Sequence, residues 1–185
     1  MAILIHESGH YIAARRRGLK VDLPIFLPGF GAYVRWYHQG ISLETLSQIA
    51  LAGPLYGLGV AVACLAIAYK AGLPLFLALA YTTAFLNTLN LIPILGLDGA
   101  QATYTLNRLQ RVLITATSIL LFIILREWVY LGIAAGMGWR SFTGHAPEQP
   151  SSRGMVVYTL LLFALAAIMW AAPDGSRGSY GLFPR

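Results

Sequence analysis

The stretch His6-Glu7-Ser8-Gly9-His10 lies inside an apolar run at the start of the chain and ends just before a cluster of arginines. On an α-helix, residues four apart lie on one face, so the two imidazoles can reach a single divalent cation. Glu7 lies one step round the helix, where its carboxylate could take a proton from an attacking water molecule. Polar groups at membrane depth are costly and mark functional sites. The pattern therefore predicts a metal site at His6 and His10 with Glu7 as general base.

The composition predicts a chain surrounded by lipid. Hydrophobic residues make up 57% and charged residues 11%, whereas soluble domains carry about 25% charged residues. The net charge of +6 does not indicate nucleic acid, because the Lys and Arg residues lie at the ends of apolar runs and form no stripe with interleaved aromatics. We therefore expect no nucleic-acid partner, and contact with anionic lipid headgroups instead. The single cysteine, Cys64, excludes an intrachain disulfide and a cysteine-based zinc site.

Five apolar segments predict an all-α polytopic membrane protein of about five helices. They cover residues 1–14, 46–69, 73–97, 112–137 and 155–172. The last four can each cross about 30 Å of hydrocarbon, whereas the first spans only about 21 Å. That first helix is short and begins inside the bilayer against its neighbours, or it is truncated and the true start lies upstream. The fourth segment contains Arg126 and Glu127, yet we expect one continuous span because the apolar pattern resumes at Trp128.

The positive residues predict the orientation, because Lys and Arg favour the cytoplasmic side. With the first arginine cluster in the cytoplasm and one crossing per segment, nine positive residues fall on the cytoplasmic side and three on the outer side. The nine are Arg15, Arg16, Arg17, Lys20, Arg35, Arg108, Arg111, Arg177 and Arg185, and the three are Lys70, Arg140 and Arg153. We therefore expect an integral protein of a prokaryotic plasma membrane, with its metal site near the cytoplasmic side.

Residues 19–40, between the first two segments, predict a small β-hairpin. Proline and glycine oppose a helix there, and Phe30 to Trp36 is rich in the aromatic and β-branched residues of a short strand. Because this stretch is too apolar for an ordinary cytoplasmic loop, we expect the hairpin to dip into the membrane beside the first helix.

A catalytic zinc site needs a third protein ligand and one open position. His38 lies in the hairpin region, and His145 is expected on the outer side, opposite the site. Asp98 ends an apolar segment on the same membrane side as His6, after Pro93 has interrupted the helix. The pair Asp98-Gly99 is equally typical of a turn at a helix end, so the residues alone leave both interpretations open.

Two spaced motifs resemble a known family. His6-Glu7-x-x-His10, followed by Asn90-x-x-Pro93-x-x-x-Leu97-Asp98-Gly99, is similar to the site-2 protease family of intramembrane zinc metalloproteases, and Ala50-Leu51-Ala52-Gly53-Pro54 resembles its Ala-Gly-Pro element. The resemblance implies that His6, His10 and Asp98 bind Zn²⁺ and that Glu7 is the catalytic base. It also implies that Asn90 lies by the cleft, where it could bind substrate or the developing oxyanion.

The same resemblance implies the organisation of the chain. It implies a zinc-protease core over residues 1–110 and two additional transmembrane helices over residues 111–172. We expect no PDZ-like or CBS-like domain, so the chain would be a minimal member. Residues 173–185 contain Gly, Ser and Arg, which predicts a mobile tail. In the second segment Gly53 and Gly57 have small-xxx-small spacing, which predicts close packing of the first three segments around the metal.

The function implied is cleavage of a transmembrane helix in a substrate membrane protein, near the cytoplasmic end of that helix. The alternative is a catalytically inactive zinc-binding membrane protein or a metal carrier. A di-iron membrane desaturase needs many histidines, and the chain has 4. The apolar segments exclude a soluble metalloprotease.

The predicted strand could pair with a substrate helix once that helix has unwound. Phe30, Tyr33 and Val34 are therefore candidate substrate-binding residues, together with Asn90. Proline removes the backbone N–H on which such pairing depends, so we expect Val34→Pro to block cleavage of a helical membrane substrate while zinc content is retained. A protease assay and metal analysis of the same preparation check this, and unchanged cleavage would reject the pairing role.

Overall fold

The structure is a computed structural model that describes residues 2–21, 25–27, 31–33, 40–94, 96–143 and 147–172. It contains seven α-helices and one pair of short strands within those ranges. The helices are α1 Ala2–Arg15, α2 Leu43–Ala71, α3 Pro74–Asn90, α4 Asp98–Ala102, α5 Arg108–Leu125, α6 Trp128–Thr143 and α7 Ser152–Ala171, and the strands are β1 Ile25–Leu27 and β2 Gly31–Tyr33. A 3-10 turn, Thr103–Thr105, joins α4 to the segment before α5.

Local sequence signals determine where the long helices begin and end. The hydroxyl of Ser42 accepts a hydrogen bond from Thr45 N at the start of α2, as N-cap residues do. The helix α2 ends at Gly72, whose φ of 66° is the left-handed conformation that glycine adopts without strain. Asn107 and Gln110 form a reciprocal capping box at the start of α5.

Three of the described helices, and not about five, are long and apolar enough to cross a membrane. They are α2, α5 and α7, of 29, 18 and 20 residues. The expected third span is α3, with only 17 residues. It ends at Asn90 because Pro93 has no N–H with which to continue the helix. Exposed apolar surface is nevertheless extensive, since Ile124, Trp139 and Leu160 on three different helices are 61%, 70% and 62% exposed.

The prediction of one continuous span from Val112 to Met137 is wrong. The chain turns at Arg126, whose φ of 60° is left-handed and whose N–H bonds to Phe122 O. Helices α5 and α6 then pack against each other as an antiparallel pair, and the Arg111 guanidinium near the start of α5 donates to Arg140 O near the end of α6 at 2.8 Å. The two adjacent charged residues, Arg126 and Glu127, therefore lie in a tight turn where a helix interior was expected.

This turn reverses the expected course of the rest of the chain. Ser151 N, just before α7, bonds to Thr105 O at 2.9 Å, and Arg153 lines the same cavity as Arg17. At the opposite end, Tyr69 donates to Ala171 O at 2.9 Å. The expectation that Arg140 and Arg153 lie across the membrane from Arg17 is therefore wrong.

The positive residues gather at one end of the helices, which we call the arginine-rich end. Of the described residues, that end holds Arg15, Arg16, Arg17, Lys20, Arg108, Arg111, Arg140 and Arg153, and the far end holds Lys70 and Arg126. His145 lies outside the described residues.

The strand pair lies in the stretch for which a hairpin was predicted. Strand β1 pairs antiparallel with β2, with Ile25 opposite Tyr33 and Leu27 opposite Gly31, and β2 contacts α1. The expected strand from Phe30 to Trp36 is described only at Gly31–Tyr33. The contacts of the pair do not fix its depth in a membrane, so the membrane-dipping hairpin stays a prediction.

Helix α2 is the centre of the described fold, because α1, α3, α4 and α7 all pack against it. The main apolar core runs from Ala50 in α2 to Ala172 after α7. It therefore joins the residues of both predicted portions, 1–110 and 111–172, and their division stays a prediction. The predicted tail, 173–185, lies outside the described residues.

Cysteine labelling tests the revised course of the chain. In a Cys64→Ala background, single cysteines at Arg16 and Arg153 should react with a membrane-impermeant maleimide from one side of the membrane, and a cysteine at Lys70 from the other. All three side chains are exposed. Labelling of Arg153→Cys from the Lys70 side would contradict the α5–α6 turn.

Candidate metal centre

Helix α1 turns His6 and His10 onto its buried face, where they are 5% and 8% exposed. The i to i+4 spacing brings their Nε2 atoms to 3.1 Å from each other, as expected for two ligands of one ion. The rings meet edge to face, with centroids 4.9 Å apart. The two histidines thus present their Nε2 atoms to one common point.

Asp98 reaches the same point from the first turn of α4. The chain leaves the helical conformation after α3, turns through Gly96 at a φ of 87°, and starts α4 at Asp98. The hydroxyl of Tyr158 donates to Leu91 O and holds the start of this broken segment. Non-helical backbone at such depth is tolerated where protein surrounds it, and here α2, α6 and α7 do so.

The three side chains form a compact set of donors. His6 Nε2 lies 3.0 Å from Asp98 Oδ2, and His10 Nε2 lies 3.2 Å from Asp98 Oδ1. Ligand atoms about 2.0–2.1 Å from a tetrahedral zinc ion lie roughly 3.3 Å apart, so these separations fit three ligands of one zinc. Within the described residues, this is the group that brings at least three such donors within 4.8 Å of one another.

Hydrogen bonds fix the tautomer of each imidazole. His10 Nδ1 lies 2.8 Å from Ile49 O, and a carbonyl only accepts, so Nδ1 carries the proton. His6 Nδ1 lies 2.8 Å from Asn87 Oδ1, and the Asn87 amide is oriented by its own donation to Thr83 O at 2.7 Å. Each Nε2 is therefore left with a bare lone pair, as in metal-binding histidines whose second nitrogen is held by protein.

These bare lone pairs need a cation between them. Two Nε2 lone pairs 3.1 Å apart repel each other, and the buried Asp98 Oδ2 has no hydrogen-bond donor within the described protein. Two nitrogen donors and one carboxylate that converge in this way fit a divalent metal ion such as zinc.

Asn87 was missed by sequence reasoning, which chose Asn90 from the same helix. Asn87 is 3% exposed and can reach His6 because α2 has Gly57 at the crossing, where a Cβ would lie 2.0 Å from Asn87 Oδ1. The sequence feature that could have identified Asn87 is a polar residue inside an apolar helix, one turn before Asn90. Only the register between α1 and α3 shows that Asn87, as well as Asn90, reaches His6.

Gly53 fits α2 against the metal-binding face of α1. A Cβ at Gly53 would lie 2.2 Å from His10 Nε2 and 2.8 Å from His6 Nε2, so any side chain there would fill the space where the ligands converge. The predicted close packing of the first three segments through Gly53 and Gly57 is therefore confirmed by the structure.

Glu7 and Asn90 line a cavity of about 40 Å³ beside the donors, together with His6, Asn87, Ala2, Ile3 and Leu86. A water molecule needs about 10–15 Å³ by this measure, so the cavity has room for one or more. Asn90 Nδ2 lies 3.2 Å from His6 Nε2. The cavity thus brings the Glu7 carboxylate, the Asn90 amide and one of the three donors, His6, to one space with room for water.

Other predicted site residues lie beyond what can be described. Phe30 and Val34 are outside the described residues, as is His38, and Tyr33 is described only as part of the β2 backbone. Their contribution to substrate binding stays a prediction.

Comparison with known proteins agrees with this centre. A sequence profile described as Peptidase family M50 matches residues 1–82. Proteins named "Probable zinc metalloprotease EGY2, chloroplastic" are similar to the chain in an alignment of 58 positions that covers 29% of the chain. Those from Oryza sativa subspecies indica and japonica are 40% identical over this stretch, and the one from Arabidopsis thaliana is 38% identical.

The match covers only part of each protein. The chain spans about a tenth of these curated relatives, 11% of each rice protein and 10% of the Arabidopsis protein. No solved structure matches the chain. Residues 1–82 carry the His6-Glu7-x-x-His10 helix and Gly53 of α2, which packs on it, and over this region the chain is similar to Peptidase family M50.

Proposed function

We propose that the chain is an intramembrane zinc metalloendopeptidase that hydrolyses a peptide bond within a transmembrane helix of a substrate protein. One observation carries the proposal. Two imidazole lone pairs and a buried carboxylate converge within 3.2 Å of one another, and His6 and Glu7 line a cavity beside them that has room for water. A metal centre that served structure alone would be closed by a fourth protein ligand, whereas the donor group found within the described residues has three members.

The chemistry divides between the metal and the protein. Zinc held by His6, His10 and Asp98 would supply Lewis acidity and would lower the pKa of water towards about 7. Glu7 takes the proton from the attacking water onto its carboxylate and later returns a proton to the leaving amine. Asn90 can donate from Nδ2 to the oxygen of the substrate carbonyl, where negative charge develops.

The proposed substrate is a membrane helix because the site opens among apolar helices. A helix satisfies its own backbone hydrogen bonds and must unwind before a peptide bond can be attacked. Strand β2 lies beside α1, the helix that carries His6 and Glu7, and an unwound segment could pair with a strand in that position. Phe30, Tyr33 and Val34 are the proposed contacts.

The proposed location is a cell membrane with the arginine-rich end in the cytoplasm. Three helices can cross a bilayer, which supports an integral membrane protein. The curated relatives are named chloroplastic, and a prokaryotic plasma membrane is our proposal for this chain. His10 lies about five residues from the arginine cluster along α1, which is about 8 Å from that end.

A zinc-binding protein without catalysis, such as a pseudoprotease or metal carrier, is the competing function. Such a protein needs the three donors but has no need of a carboxylate in the adjoining cavity. Glu7, which lines that cavity and is no member of the donor set, favours the enzyme.

Metal content tests the site itself. His6→Ala and Asp98→Ala should each abolish binding of one zinc per chain, because two remaining donors hold the ion too weakly to survive purification. Metal analysis after gel filtration in detergent measures this. Ser8→Ala is a matched control in the same helix, since its hydroxyl bonds to Leu4 O, and it should keep its zinc. Zinc retained in both ligand variants would overturn the site.

Glu7→Gln separates catalysis from binding. It should keep one zinc per chain and lose roughly 10²- to 10⁴-fold in cleavage rate, the usual contribution of a general base. The assay is proteolysis of a reconstituted substrate with one transmembrane helix. Glu44→Gln, at the exposed start of α2, is the control and should cleave normally. Equal rates for Glu7→Gln and the unchanged chain would leave only the zinc-binding protein without catalysis.

A further inference from the structure

Arg140, near the end of α6, donates hydrogen bonds to the short segment that begins with Asp98. Its Nη1 donates to Ala100 O at 2.7 Å and to the hydroxyl of Thr103. Both acceptors belong to buried residues, since Ala100 is 4% exposed and Thr103 is fully buried. Arg140 thus contacts the segment at two and five positions beyond Asp98.

Arg140 donates to a helix that is only five residues long. The last carbonyls of any helix have no partner in the next turn, and water cannot readily reach these buried ones. The Thr103 hydroxyl, which accepts from Arg140, in turn donates to Gly99 O at 2.9 Å. A chain of two hydrogen bonds therefore connects the guanidinium to the peptide unit next to Asp98.

Arg140 is itself held from several sides. Its carbonyl accepts from Arg111 Nη1 at 2.8 Å, and its guanidinium lies over the Tyr104 ring, 5.1 Å from the centroid. One turn earlier, α6 packs so closely on the broken segment that a Cβ at Gly136 would lie 2.8 Å from the Pro93 ring. Such support on both sides leaves the guanidinium little freedom to move.

We propose that Arg140 is a positioning residue for the metal centre, holding α4 so that the Asp98 carboxylate meets His6 and His10. The inference rests on the proposed function, because it concerns the same three ligands. It adds a contribution from the α5–α6 pair, which lies outside the residues 1–82 matched by the family profile. Partners that orient a metal ligand commonly change metal affinity by about 10- to 100-fold when they are removed.

Cobalt substitution of the full 185-residue chain tests this, because the visible absorption of Co²⁺ reports the geometry of its ligands. The unchanged chain should bind one Co²⁺ with an intense tetrahedral spectrum, and Asp98→Ala should lack it. Arg140→Gln should weaken Co²⁺ binding by about 10- to 100-fold and shift or weaken the visible bands. Arg140→Lys keeps the charge and a single donor, so it should recover part of both.

Arg108→Gln is the matched control. Arg108 also joins α5 to α6, with its guanidinium 5.5 Å from the Phe142 ring centroid, but it has no described contact with α4. It should bind Co²⁺ like the unchanged chain. An Arg140→Gln variant with unchanged affinity and spectrum would overturn the inference, as would an equal loss in Arg108→Gln.

A second variant covers the case in which Arg140→Gln does not fold. Thr103→Val keeps nearly the same volume and removes the hydroxyl that links Arg140 to Gly99 O. It should change the Co²⁺ spectrum in the same direction, and an unchanged spectrum would overturn the inference. If the unchanged chain binds no Co²⁺ at a tetrahedral site, the proposed function is wrong. If it binds Co²⁺ and Arg140→Gln binds it equally well, only the inference about Arg140 is wrong.

Discussion

The fold depends on one constraint, namely that two imidazole lone pairs and one carboxylate must share a small space inside an apolar protein. Without a cation, the Nε2 atoms of His6 and His10, 3.1 Å apart, and the Asp98 oxygens would repel one another. Each surrounding feature works to hold them there. Ile49 O and Asn87 fix the outward nitrogens, so the ligands cannot rotate away from the shared point.

The same constraint explains why α3 and α6 are shorter than membrane spans. Asp98 must approach α1 from the side, so α3 ends early and the chain continues as the broken segment from Leu91 to Leu97. Its buried residues Leu91 and Pro93 lie against protein, where backbone groups outside a helix can find partners. Helix α6 returns alongside α5 and covers it, with Gly136 against Pro93. The turn at Arg126 therefore lets α6 be a short helix that lies against this broken segment.

Features set by local spacing could be predicted from the sequence, whereas features set by the register between helices could not. The His6-Glu7-x-x-His10 spacing fixes one helix face, and Gly53 signals close approach, so both could be predicted. Asp98 could be assigned as a ligand only through the family resemblance, because an Asp-Gly pair at a helix end is also typical of an ordinary turn. The turn at Arg126 was missed because apolar residues on both sides outweigh two charges in any hydropathy window, and a left-handed non-glycine residue has no clear sequence signature. Asn87 was missed because the contact of a polar residue on α3 with His6 depends on the register between α3 and α1.

The residues matched by the family profile do not include the segment that carries Asp98, and this difference has a physical explanation. The family profile covers α1, α2 and half of α3, where a helix with fixed ligand spacing must pack against glycines and few sequences will serve. Asp98 lies beyond the matched residues. Its segment has only to present one carboxylate to the metal, and many backbone conformations can do so if another part of the protein holds them in place. Here the holder is α6, through Arg140 at one end of the segment and Gly136 at the other. A site of this kind can keep its chemistry while the support for its third ligand diverges, because the metal constrains the position of the carboxylate and leaves the route to it free.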